Sequence, residues 1–225
     1  MLDRVRLTAG DGATIGAWQA MPAHFRAGVV VVQEIFGVTA HIRSVVAQYA
    51  QAGFATIAPC LFDRIEADVE LRCDDAGMAR GRDLVATLGM DAALRDVRAA
   101  ADHLRAAGCS AVGVVGYCWG GAVAFLASTR LGLPAASYYG RLVPQFLHER
   151  LQAPLMFHYG EHDALIPPES VAQVARALPE VPLYRYPAGH AFNRLGDPHG
   201  DAPSAALAFE RTVDFLRRAL GGDHG

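Results

Sequence analysis

Cys118 lies in Gly116-Tyr117-Cys118-Trp119-Gly120-Gly121, between the apolar run Val112–Val115 and the small-residue stretch Ala122–Ala127. This pattern predicts a strand, a tight turn and a helix, with the cysteine held at the turn. Glycines on both sides let the chain pass close to itself where a side chain would obstruct it. A thiol so placed stands at a helix N-terminus, where backbone N–H groups and the helix dipole favour an anion. That is the setting for a cysteine nucleophile. An isolated apolar-flanked cysteine is more often inert core, so the partners decide.

A nucleophilic thiol needs a base, and the base needs an orienting group. Downstream, Leu155–Tyr159 runs into Gly160-Glu161-His162-Asp163, and Pro182–Tyr186 runs into Pro187-Ala188-Gly189-His190-Ala191-Phe192. Nucleophile, acid and histidine therefore follow one another in the chain order of the α/β-hydrolases. Asp163 is the candidate acid and His190 the candidate base. Glu161 and His162 are rivals in the acidic loop, and His158, His162 and His199 are alternative histidines among the nine present. The alternative for Asp163 is a surface acid or the N-cap of the helix expected near Pro168. Two N–H groups are needed for an oxyanion. One is expected from Trp119, after the nucleophile. The other is expected from Ile35, in the loop after Val29–Gln33. That loop also carries Glu34 toward the elbow, where a salt-bridged rim acid is the alternative.

The elements that must position these residues alternate. Expected strands are Val5–Thr8, Ile15–Ala20, Gly28–Gln33, Thr56–Ala58, Val112–Gly116, Ala135–Tyr139, Leu155–Tyr159 and Pro182–Tyr186. Expected helices are His41–Gln51, Ala79–Thr87, Asp91–Ala107, Trp119–Leu131, Pro168–Leu178 and Ser204–Leu220. Gly10-Asp11-Gly12 signals a hairpin between the first two strands. The alternation beyond it predicts an α/β class with the α/β-hydrolase fold: a mostly parallel sheet with helices on both faces. Continuous apolar runs such as Val29–Val32 suit a sheet buried on both sides. The acid-rich stretch Leu61–Gly77 is the least regular and is read as a solvated loop or part of a lid. Residues Gly221–Gly225 are expected to fray.

At 225 residues, 52% of them hydrophobic, the chain is read as one domain, residues 1–225. A net charge of −3 and a pI near 6.3 give no reason to expect nucleic acid or an anionic membrane as partner. No apolar run approaches a membrane helix, and the N-terminus lacks the signature of a signal peptide. Cys60, Cys73, Cys109 and Cys118 show neither CxxC nor zinc spacing. Reduced thiols, a cytoplasmic location and no metal or cofactor are expected. A monomer or small homo-oligomer is anticipated.

Gln33-Glu34-Ile35-Phe36-Gly37, the Cys118 elbow, Tyr138-Tyr139-Gly140, His162-Asp163 and Ala188-Gly189-His190-Ala191-Phe192 together resemble the dienelactone hydrolases, or carboxymethylenebutenolidases. The resemblance runs from about Gly28 to Leu216. It implies a Cys118–His190–Asp163 triad, metal-independent hydrolysis of esters or lactones, and a Glu34 that engages the resting thiol and passes on the proton relay when substrate binds. It also implies substrate contacts from Arg194, Tyr139, Phe36 and Arg82. The family grips a substrate carboxylate with two arginines. Arg194 matches one of them. Met78 stands where the second is found, with Arg80 and Arg82 nearby. Arg82 and Val85 replace aromatic residues, and Ala191 follows the histidine where serine is common. The implied substrate is a small ester or lactone, with a carboxylate as an added feature. Two rivals remain: a general small-ester hydrolase or thioesterase, and a redox-responsive thiol protein without catalysis.

Overall fold

A computed structural model of the chain describes residues 2–221. Of the expected frayed terminus, residues 222–225 lie outside the described residues. Two compact units divide the chain, Met1–Val114 and Val115–Gly225.

The first unit holds β1 (Asp3–Thr8), β2 (Thr14–Ala20), β3 (Ala27–Val32), α1 (Ala40–Gln51), β4 (Ala55–Pro59) and α2 (Asp75–Ala106). β1 and β2 form the expected antiparallel hairpin, in register from Asp3↔Gln19 to Thr8↔Thr14. Its turn uses Gly12 at φ 83°, a left-handed conformation that glycine adopts without strain. β2 pairs antiparallel with β4, and β4 pairs parallel with β3. Every residue of β4 is buried, and Val29, Val30, Val31 and Val32 of β3 have 0% exposure. Alternate residues point to opposite faces of a strand, so both faces are covered. α1 and α2 supply that cover.

β5 (Ala111–Tyr117) runs across the unit boundary. The second unit then carries α3 (Trp119–Arg130), β6 (Ala135–Tyr138), β7 (Leu155–Gly160), α4 (Pro168–Ala177), β8 (Leu183–Tyr186) and α5 (Ala202–Leu220). β6, β7 and β8 pair in parallel, with Ser137↔Phe157 and Tyr159↔Arg185 in register. α3 packs on β6 and α5 on β7. Parallel strands deliver their C-terminal ends, and the loops that follow them, to one edge.

Two differences from the sequence expectation have local causes. The helices expected at Ala79–Thr87 and Asp91–Ala107 form one element, Asp75–Ala106, broken at Gly89, whose φ of 71° and ψ of 164° are not helical. It starts four residues earlier than expected because Asp74 caps it, accepting a hydrogen bond from Gly77 N at 2.9 Å. The stretch from Leu61 is also more ordered than a solvated loop. Leu61–Arg64 forms a 3₁₀ turn with Leu61 and Phe62 buried. Further on, Leu71 N donates to Phe36 O at 2.9 Å, and Arg43 pairs with Glu70.

Candidate active site

The elbow forms where the glycines require it. A Cβ on Gly116 would lie 1.8 Å from Gly120 O, and one on Gly121 would lie 2.7 Å from Tyr138 O. Cys118 itself has φ 55° and ψ −115°, a conformation costly for a residue with a Cβ. Backbone bonds hold it there: Cys118 N donates to Tyr138 O at 3.0 Å, and Gly121 N donates to Cys118 O at 3.0 Å. Cys118 occupies the N-cap position of α3 but makes no side-chain cap bond, so its sulfur serves other partners.

The first partner is His190, whose Nε2 lies 3.2 Å from Cys118 Sγ. Its Nδ1 lies 2.7 Å from Asp163 Oδ2. An ionised carboxylate only accepts hydrogen bonds, so Nδ1 carries a proton toward Asp163, and Nε2 faces the sulfur, where a proton can pass between the two. Asp163 is buried at 7% exposure, and its other oxygen accepts from Leu165 N at 2.8 Å and Ile166 N at 3.1 Å. It thus both caps the turn and orients the imidazole. Burial of His190 disfavours its charged form, but the hydrogen bonds to Asp163 and Cys118 outweigh this and raise its pKa above that of an ordinary imidazole.

The rivals separate on burial and partners. Glu161, His162 and His199 are exposed. His158 is fully buried, with Nδ1 2.7 Å from Tyr186 Oη and Nε2 2.9 Å from Thr212 Oγ1. Burial, and then the charge of Arg211, push its pKa down to about 3. Both of its ring nitrogens are committed to structural partners. The sequence offered His158 only as a spare base. The clue to its other role was a histidine within an otherwise apolar strand, adjacent in register to a tyrosine-rich one.

Among the described residues, four non-glycine residues have positive φ: Asp68, Cys118, Tyr139 and Ala191. Three of them surround this cluster. Tyr139 N donates to His158 O at 2.7 Å, and the Tyr139 ring lies 5.0 Å from the His190 ring. Tyr139 is fully buried, so it supports the imidazole from the side. Trp119 is buried and opens the first turn of α3.

Arg194, the residue matched to one carboxylate-binding arginine, lies four positions after His190. It is 8% exposed, and its Nη1 lies 3.5 Å from Asp197 Oδ2.

The remaining sequence candidates belong to the first unit. Glu34 and Phe36 are buried at 1% and 6% exposure, and Ile35 is half-buried. Their loop is braced from within that unit. Gln33 Nε2 donates to Glu34 O at 3.3 Å, Leu61 N donates to Gln33 Oε1 at 3.1 Å, and Gly37 takes φ 87° where a Cβ would meet Val69 O at 2.0 Å. Gly81 of α2 passes so close that a Cβ would lie 2.2 Å from Ile35 O. The next residue, Arg82, is exposed, Met78 is half-buried, and Arg80 Nη2 binds Glu66 Oε2 at 2.6 Å. Among the described residues no group of three or more His, Cys, Asp or Glu side chains is arranged to hold a metal ion. No described helix is long and apolar enough to cross a membrane.

A model of the "Dienelactone hydrolase family" matches residues 15–220. The chain belongs to the dienelactone hydrolase family. It is 34% identical over 237 residues to "Carboxymethylenebutenolidase 1" of Cupriavidus pinatubonensis, covering 95% of this chain and 96% of that one. It is 33% identical over 232 residues to the carboxymethylenebutenolidase of Pseudomonas putida, covering 96% of each. The crystal structure of a "Putative Dienelactone Hydrolase" from Klebsiella pneumoniae superposes with a TM-score of 0.85 at 27% identity, over 97% of this chain and 99% of that one. The fold is the α/β-hydrolase fold read from the sequence, and the protein is a hydrolase acting on carboxylic ester bonds.

Proposed function

We propose that the chain hydrolyses small esters or lactones through a Cys118–His190–Asp163 triad and a thioester intermediate. The observation that carries this reading is the line of contacts from Cys118 Sγ to His190 Nε2 at 3.2 Å and from His190 Nδ1 to Asp163 Oδ2 at 2.7 Å. His190 Nε2 takes the thiol proton, and the sulfur attacks the carbonyl carbon. The carbonyl π electrons move to oxygen, where the N–H groups of Trp119 and Ile35 are proposed to receive them. Collapse breaks the C–O bond, and His190 returns the proton to the departing oxygen. In a lactone that oxygen stays tethered to the acyl group. Water, deprotonated by His190, then attacks the thioester. The acid leaves, and the proton returns to sulfur. Asp163 holds the imidazole tautomer and stabilises its charge without itself being protonated.

Glu34 is proposed to tune the reactivity of the resting thiol. Its burial immediately after a parallel strand supports that role, as does the family pattern Gln33-Glu34-Ile35-Phe36-Gly37. Phe36, Tyr139, Arg82 and Arg194 are proposed to shape substrate binding. We read the two units as parts of one hydrolase domain, since the family match runs continuously through both. We place the protein in the cytoplasm as a monomer or small homo-oligomer, which fractionation and native mass measurement would check.

A second reading, a hydrolase of neutral esters or thioesters, is favoured by one observation. Arg80 is paired with Glu66, close to Met78, which the family resemblance puts at the position of the second carboxylate-binding arginine. A panel of dienelactones, neutral short esters, neutral lactones and thioesters, ranked by kcat/KM, tests both. A dienelactone at the head of the ranking supports the first reading. Neutral esters or thioesters at its head support the second.

A further inference from the structure

The proposed triad depends on two loops, each continuing a strand. β7 leads through Glu161 and His162 to Asp163, and β8 leads through Pro187–Gly189 to His190. Below those loops the two strands are tied by side chains. His158 of β7 and Tyr186 of β8 meet at 2.7 Å, Nδ1 to Oη. His158 Nε2 lies 2.9 Å from Thr212 Oγ1 of α5. Tyr138 Oη of β6 also reaches Thr212 Oγ1, at 2.7 Å.

The proton positions in this cluster follow from its ends. Arg211 Nη1 is a donor only and lies 3.2 Å from Tyr186 Oη. Thr212 Oγ1 donates to Ala208 O at 2.8 Å. Tyr186 therefore accepts from Arg211 and donates to His158 Nδ1. His158 then carries its proton on Nε2 and donates to Thr212, which also accepts from Tyr138 and passes its own proton to the helix carbonyl. Every hydrogen bond points the same way, from the guanidinium to the α5 backbone. A charged imidazole would present two N–H groups and break the order, and the depressed pKa of His158 keeps the ring neutral. Buried networks that are fully satisfied fix a single geometry.

The same cluster grips the His190 loop at its neck. The Tyr186 ring, four residues before His190, lies 5.0 Å from the Phe192 ring, two residues after it. Phe192 lies 5.4 Å from Tyr139, the ring that packs on His190.

We propose that His158 is a positioning residue of the reaction: with Tyr186 and Thr212 it fixes the spacing of the strand ends that carry Asp163 and His190. It touches no reacting atom. This proposal rests on the triad reading above.

The test uses Tyr186→Phe, Thr212→Val and Thr212→Ser. Tyr186→Phe removes a single oxygen, so it gives a folded readout even where Thr212→Val does not. A misplacement of the base by part of an ångström is expected to lower kcat on the order of ten- to a hundredfold. Tyr186→Phe and Thr212→Val are expected to show that loss with KM nearly unchanged. The downfield N–H proton of the His190–Asp163 hydrogen bond is expected to shift or broaden in both. Thr212→Ser keeps the hydroxyl and is expected to retain kcat. Wild-type kcat and an unmoved N–H resonance in Tyr186→Phe would overturn the proposal, even if its melting temperature fell. Equal losses in Thr212→Val and Thr212→Ser would also overturn it. Full turnover in Cys118→Ala would instead sink the triad reading. The N–H resonance of Tyr186→Phe, compared with wild type, would still report whether Tyr186 positions the pair.

Discussion

Two cysteines stand at corresponding places in this fold, each just past the end of a sheet strand. Cys60 follows β4 and Cys118 follows β5. Cys60 keeps a negative φ, −79° with ψ 81°, and opens a four-residue 3₁₀ turn. Burial, and then the negative charge of Asp63, push its thiol up to about 12. Cys118 is forced to φ 55° at the start of a 12-residue helix and has an imidazole 3.2 Å from its sulfur. Residue type and place in the sheet are shared. Local backbone and neighbouring charge are not. A carboxylate beside a buried thiol silences it, whereas a histidine oriented by a carboxylate gives it a base.

The strongest break of this comparison is deletion of each thiol. Cys118→Ala is expected to lower ester hydrolysis by roughly a thousandfold or more, the loss typical of a triad nucleophile. Cys60→Ala is expected to leave kcat intact, and steady-state assay of both proteins checks the pair.

Asp163→Asn removes the orienting charge and moves Cys118 toward the condition of Cys60. A loss of about a hundredfold in kcat is expected, within the range for general acid–base catalysis. Slower iodoacetamide labelling of Cys118 at pH 7 is expected to accompany it. Unchanged labelling would mean that the imidazole does not set the thiol's reactivity.

Arg194→Ala sharpens the comparison on the substrate side. If the guanidinium turns from Asp197 to a substrate carboxylate, kcat/KM for an anionic lactone is expected to fall by about 1.5–3 kcal/mol, the range for hydrogen bonds to charged groups. Neutral esters are expected to lose much less. Equal losses would assign the buried arginine to structure. Glu34→Gln is expected to have a smaller effect, changing both the labelling rate of Cys118 and kcat. Superimposable labelling curves with unchanged kcat would remove it from the mechanism.

The smallest effects are on stability against pH. His190 has its pKa raised on folding, so its stabilising contribution is complete below about pH 6.5 and is lost as pH rises above that value. Cys60 stays neutral in the fold up to about 12, whereas an unfolded thiol ionises near pH 8.5, so stability falls further above that pH. Denaturant titrations of His190→Gln and Cys60→Ala are expected to flatten the lower and the upper window respectively.

The site was legible where backbone sterics dictated sequence. Gly116 and Gly121 are needed because other residues would collide with Gly120 O and Tyr138 O, and that spacing marks the elbow in the chain itself. The buried strands were legible as valine runs. The helix start at Asp75 was not, because its cap, Asp74, lies in an acid-rich stretch that reads as loop. Nor was the burial of Arg194, since sequence gives no sign of a guanidinium tucked beside a residue three positions on. His158 was least legible of all. Its partners Tyr186 and Thr212 lie 28 and 54 residues away, and only the assembled strands and α5 bring them together.

The most direct test of the central claim is to quench turnover of an activated ester with acid and map the acyl group by peptide mass. The acyl mass is expected on the peptide carrying Cys118 and is expected to be absent from Cys118→Ala. An acyl group on another residue, or undiminished turnover in Cys118→Ala, would contradict that claim.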